Sequence, residues 1–150
     1  REAAVGTLSP CETCRQVMRQ VSELLTARLD RKSQKENSLI LDIETYINEN
    51  YQDMDLTVQR AADHFQLSIS NLSHYFKNHV GMSVSGYVEQ LRMHAAQELL
   101  AQTDSSVSQI ASEVGYAQPA TFMRAFKKVS GMSPTAYRTM AREQAARGNF

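Results

Sequence analysis

The sequence has no tryptophan, three prolines and two cysteines in 150 residues. Two cysteines cannot build the disulfide framework on which small secreted domains depend, so any stable core must come from packing. The prolines stand at Pro10, Pro119 and Pro134. The long stretches between them are open to uninterrupted helix. Apolar runs extend only a few residues, far short of the ~20 that cross a bilayer, and no secretory signal is visible. An excess of charge is missing too: sixteen basic and sixteen acidic residues cancel. A surface that gripped polyanions indiscriminately would need surplus Lys and Arg. Glycine-rich phosphate loops, Gly-x-Ser-x-Gly and His-Glu-x-x-His are absent, and the acidic residues are scattered, so no enzyme and no cofactor are expected. The first residue is Arg1 rather than Met, which points to a piece of a longer protein or to a processed chain. A hydrophobic fraction of 42% suits one or two small globular domains.

What is present centres on Ser106–Arg138. Ser106 and Gln109 have the spacing of a capping box. Val107, Ile110, Ala111 and Val114 follow with helical period. Gly115 can take the left-handed conformation that ends a helix, and Pro119 suits the first position of the next. Phe122 and Phe126, four apart, mark the buried side of that second helix. Thr121, Met123, Arg124, Lys127 and Lys128 mark its outer side. Gly131 ends it, and Ser133-Pro134 restarts a helix. A short buried helix, a glycine turn and an amphipathic helix with a basic face form a helix-turn-helix pattern.

The pattern occurs twice. A slide of 50 positions, without gaps, brings Ala61 onto Ala111, Leu72 onto Phe122, Phe76-Lys77 onto Phe126-Lys127, Gly81-Met82-Ser83 onto Gly131-Met132-Ser133 and Tyr87 onto Tyr137. Core and stop positions match. Outer positions differ, with Ser70, Asn71, Ser73 and His74 standing against Ala120, Thr121, Met123 and Arg124. Two like scaffolds with unlike faces suggest two docking elements. The bland alternative is a duplicated helical bundle without a ligand.

Ile-Ala-x-x-x-Gly-Tyr, then Phe-x-x-x-Phe-Lys-Lys, then Gly-Met-Ser-Pro-x-x-Tyr-Arg resembles the signature of the AraC/XylS family of bacterial transcription regulators, over about Leu39–Arg142. The resemblance implies an all-α domain of about seven helices, in which two helix-turn-helix subdomains are joined by a long linker helix. It also implies recognition helices, about 69–79 and 119–129, that enter successive major grooves. The expected organisation is an N-terminal helix and linker over 1–38, from an upstream sensor region, and the DNA-binding domain over 39–150. Within it, subdomain one covers 39–83, the linker helix 84–101 and subdomain two 104–142.

From Pro10, apolar residues Met18, Val21, Leu25 and Leu29 recur by three or four. They suit either a short coiled coil or signalling helix, or an amphipathic helix packed on the domain. Residues 31–38 read as a linker or a solvated helix. Leu39–Tyr51 carries the stripe Ile40, Ile43, Tyr46 and Ile47. Thr57 caps a helix burying Val58, Ala61, Ala62 and Phe65. Ser68 caps the first recognition helix, whose Leu72, Tyr75 and Phe76 face inward. In the linker helix, Tyr87, Leu91, Ala95 and Leu99 recur every four residues.

From position 39 onward nine basic residues face eleven acidic ones, so tight DNA binding is expected to need a dimer. Arg124 is the foremost base-reading candidate, because arginine bonds guanine O6 and N7 together. Thr121 suits a thymine methyl, and Gln118 or Asn71 an adenine, although Gln118 has the alternative of merely capping its helix. Ser70, Ser73, His74, Ala120 and Met123 complete the base-reading candidates. Lys77, Lys127 and Lys128 are the phosphate candidates. Cys11-x-x-Cys14 has zinc or redox spacing, but a zinc site needs about four ligands. The histidines (His64, His74, His79, His94) lie far along the chain. No metal site is expected, nor does a methyl-accepting repair domain fit in 38 residues; two free thiols remain the plain reading. Double-stranded DNA and RNA polymerase are the expected partners, with a second copy joined through the N-terminal helix or a sensor domain. The setting is cytoplasmic and the regulator is read as an activator. The competing function is a helical protein-interaction module with weak or no DNA binding.

Overall fold

The computed structural model describes residues 10–148, with side-chain surroundings from Gln16 onward. Seven α-helices follow in order: α1 Pro10–Asn50, α2 Val58–His64, α3 Ile69–Val80, α4 Val84–Gln102, α5 Val107–Glu113, α6 Pro119–Ser130 and α7 Pro134–Gly148. There is no strand among the described residues. The chain divides into two units, 1–41 and 42–150.

The first unit, as far as it is described, is helix. Residues 31–38 do not interrupt α1, so the expected N-terminal helix and the expected first helix of the domain are one element of 41 residues. The local reason is composition. Arg, Lys, Gln and Glu are good helix formers, Lys32 and Glu36 pair at 3.9 Å, and no Gly or Pro falls between Pro10 and Gly81. Val17, Met18, Val21, Leu24, Leu25 and Leu29 are exposed, from 46% at Val21 to 68% at Met18. The capping residue expected at Ser9 and the side chains of Cys11 and Cys14 lie outside the described residues.

In the second unit, short-range signals set the helix ends. Thr57, Ser68, Ser83 and Ser106 each accept an N–H from the third residue on, which satisfies a donor the helix leaves orphaned. At Ser106 the bond is reciprocal: Gln109 Oε1 accepts the Ser106 N–H at 2.9 Å. Gly81 and Gly131 end α3 and α6 in the left-handed region.

The core has two lobes. Ile43, Ile47, Ala61, Ala62, Leu72 and Phe76 are fully buried in the first. Ile110, Ala111, Val114, Phe122 and Phe126 are buried in the second, with Met93, Ala96 and Leu100 of α4. Phe76 meets Tyr87 edge-on at 5.4 Å, and Phe126 meets Tyr137 likewise at 5.5 Å. Helix α4 touches α3 as well as α5, α6 and α7. Serving two lobes takes two faces, so its most buried residues are Val84, Val88, Met93, Ala96 and Leu100. The expected every-fourth row Tyr87, Leu91, Ala95 and Leu99 is only half-buried. Val58, Phe65 and Tyr75, expected inside, are also half-buried.

The repeat is not gapless. Both first helices end in a Schellman motif: Leu67 N–H donates to Ala62 O and Gln66 N–H to Asp63 O, as Tyr116 does to Ala111 O and Gly115 to Ser112 O. The left-handed residues are Gln66 and Gly115, 49 positions apart, whereas the caps Gly81 and Gly131 are 50 apart. The second turn therefore holds one extra residue between Tyr116 and Pro119. Ala62, not Ala61, is the structural match of Ala111.

Candidate nucleic-acid interface

Each turn delivers a twelve-residue helix with one apolar side and one open side. On α3, Leu72 and Phe76 are buried, while Ser70, Asn71, His74 and Lys77 are exposed. Ser73, expected outside, is half-buried, because it lies beside Leu72 and Phe76 at the edge of the inner stripe. The Asn71 N–H is taken by the Ser68 hydroxyl at 3.1 Å. His74 Nε2 lies 3.0 Å from Asn78 Nδ2, so a neighbouring amide already occupies one ring nitrogen. His79 is turned back on Tyr75 O at 2.8 Å.

On α6, Phe122 and Phe126 are buried, and Gln118, Ala120, Thr121, Met123, Arg124, Lys127 and Lys128 are all exposed. Gln118 occupies the cap position but makes no side-chain cap bond, which removes the capping alternative. Pro119 explains why: its fixed φ and missing N–H ease the first turn without a side-chain cap. Lys128 Nζ lies 3.9 Å from Glu89 Oε2 of α4, at the outer edge of ion pairing. The basic side chains thus gather on α6, while α3 presents small polar groups and Lys77. Ile69 escapes the sequence reasoning. Its spacing to Leu72 and Phe76 places it on the inner stripe, yet at the first turn of α3 it is 45% exposed, matching Met123 at 44%.

Perturbed ionisation lies away from these faces. The Asp55 N–H, then Arg60, hold the Asp53 carboxyl below its ordinary value. A bond from Arg142 at 2.6 Å does the same for Asp104. Arg138 and Arg142 of α7 donate to Leu100 O, Ser105 O and Thr103 O, closing the end of the linker helix. No group of three His, Cys, Asp or Glu suited to a metal occurs among the described residues, and no described helix is long and apolar enough to cross a membrane.

Residues 61–140 match the helix-turn-helix domain family. The chain is 33% identical over 99 residues to the arabinose operon regulatory protein of Escherichia coli (strain K12), spanning 66% of this chain and 34% of that protein. It is also similar to the crystal structure of the C-terminal domain of the two-component response regulator yesN from Fusobacterium nucleatum. There the identity is 33% and the TM-score 0.65, over 68% of this chain and 98% of that one. The chain belongs to the AraC family. Its fold is shared by the DNA-binding domain of AdpA, solved in complex with a target DNA, at TM-score 0.66 and 24% identity over 70% of this chain and 94% of that one. The AraC-type chain carries the family's helix-turn-helix domain, the part it shares with the transcription regulators it matches. It spans 15–51% of the length of the first curated relatives it matches.

Proposed function

We propose that α3 and α6 occupy successive major grooves on one face of a duplex, with α4 as the spacer between them. A 19-residue helix is about 28 Å long, commensurate with a groove repeat on the order of 34 Å. The observation that carries the proposal is the pair of exposed faces on helices of equal length, each braced from behind by phenylalanine. Arg124 reads guanine; Thr121, Met123, Ala120 and Gln118 supply the remaining contacts of α6, and Ser70, Asn71, Ser73 and His74 those of α3. Lys77, Lys127 and Lys128 hold phosphates. Residues 39–150 act as the DNA-binding domain. Residues 1–38 connect it to a sensor, on the cytoplasmic side if the whole protein is a receptor.

The matched domain carries a slight acidic excess, so tight binding takes two copies. The exposed apolar row from Val17 to Leu29 offers a surface for pairing α1 with a second α1. RNA polymerase is the partner of the bound regulator. The same charge balance favours a second reading, a protein-interaction module that binds DNA weakly or not at all.

Retardation of duplexes selected from random DNA, at several salt concentrations, tests the proposal. Affinity is expected to fall steeply with salt. Arg124→Ala is expected to cost about 1–3 kcal/mol at one half-site only, while Glu143→Gln on α7 is neutral. Equal behaviour of these two variants overturns the role of Arg124. No retardation of any duplex favours the interaction module.

A further inference from the structure

Three segments remote in sequence converge on Arg92, which sits half-buried midway along α4. Its Nε donates to Tyr51 O at 2.7 Å and its Nη2 to Asp53 O at 3.0 Å. Its guanidinium carbon stands 5.4 Å from the centroid of the Tyr116 ring. Gly115, next to that tyrosine, is held at φ +98°, and a Cβ on it would fall 2.8 Å from Tyr51 O, 3.0 Å from Gln52 O and 3.0 Å from Arg92 Nε. The loop 51–53 is therefore pressed against the turn that launches α6. The same loop is tied to the first subdomain, because Arg60 of α2 donates to Asp53 Oδ2 at 2.8 Å. A polar chain thus runs from α2 through Asp53 and Arg92 to Tyr116, across the two helix-turn-helix units.

We propose that Arg92 is a positioning residue for DNA recognition: by bonding two carbonyls of the 51–53 loop while backing Tyr116, it sets the rotation of α6 relative to α3. A planar guanidinium is suited to this task, since its donors are fixed in direction and stay charged when partly buried. Helix α4 alone fixes the distance between the recognition helices. The loop clamp adds a second point of attachment, and two points are needed to hold an angle. The inference rests on the reading that α3 and α6 engage one duplex.

The test uses the chain and a duplex selected from random DNA, resynthesised with one base pair inserted or deleted between its halves, and with the α6 half alone. A one-base-pair change rotates the halves by about a tenth of a turn, so the unsubstituted chain is expected to lose about tenfold in affinity. Arg92→Ala is expected to bind the original duplex about tenfold more weakly. It is expected to discriminate little between spacings and to bind the α6 half-duplex as the unsubstituted chain does. Arg92→Lys keeps the charge and stem, and so the fold, but not the two-carbonyl geometry, and is expected to lose the spacing preference as well. Spacing preference retained in both variants overturns the inference, as does an equal loss on the half-duplex. Indifference to spacing in the unsubstituted chain overturns the two-groove reading itself, and the inference with it.

Discussion

The two helix-turn-helix units reach the same geometry by different local chemistry. In the first, Gln66 takes the left-handed position at φ 56°, a conformation that costs a non-glycine residue about 1–2 kcal/mol. In the second, Gly115 takes it without that cost, and no other residue fits there because backbone oxygens stand where a Cβ would go. The first recognition helix is capped by a hydroxyl at Ser68, whereas the second begins on Pro119 and leaves the Gln118 amide uncommitted. The first unit therefore uses its turn residues to stabilise the helix start. The second obtains the same start from backbone geometry and keeps more side chains for the open face. That difference agrees with the gathering of Arg124, Lys127 and Lys128 on α6 and makes the second unit the stronger candidate for base reading.

Substitutions that separate the two units test this contrast. The largest effect is expected at the bracing rings, where Phe76→Ala and Phe126→Ala each cost about 3–5 kcal/mol of stability. Because α4 supplies both lobes, both substitutions should lower one shared thermal transition; two transitions would show that the lobes unfold independently. At the left-handed residues the signs should oppose. Gly115→Ala is expected to destabilise by about 1–3 kcal/mol, and Gln66→Gly to stabilise by about 0.5–1 kcal/mol, as read by urea unfolding. Destabilisation by Gln66→Gly would mean that its side chain contributes more than its backbone conformation costs. At the caps, Ser68→Ala is expected to cost about 1 kcal/mol, while Gln118→Ala leaves the melting temperature unchanged and weakens DNA binding.

The smallest effect concerns pH. Asp53 and Asp104, one beside each unit, have carboxyls held below their ordinary value by the Asp55 N–H with Arg60 and by Arg142 respectively. Their folded-state values lie below the unfolded ones, so their contribution is complete above the ordinary carboxylate range. It fades as pH falls through the lowered folded values. Asp53→Asn and Asp104→Asn should each flatten the acid limb of the stability curve. An unchanged acid limb in the double variant would show that other carboxylates govern it.

Much of both helix-turn-helix units was legible because their signals act within a few residues. The hydroxyl caps at Thr57, Ser68 and Ser106, the reciprocal Gln109, the proline at α6 and the glycines at 81 and 131 each work over one turn of helix. Leu72, Phe76, Phe122 and Phe126 follow from the 3.6-residue period alone. These features determine that there are two helix-turn-helix units and which sides of α3 and α6 are open.

What the tertiary structure decided concerns partners far apart in the chain. Ile69 has the spacing of an inward residue, three before Leu72, yet it stands 45% exposed at the first turn of α3. The gapless slide hid the extra residue before Pro119, because only the paired hydrogen bonds of the two helix ends reveal which alanine matches which. Helix α4 shows no single buried stripe, since it is shared between two lobes whose residues come from both sides of it in sequence. Nothing local in the sequence marks Arg92, because its partner Tyr51 lies 41 positions away. Local sequence determines where helices begin and end because capping and period are short-range. Burial, and the angle between the recognition helices, depend on which distant segments meet.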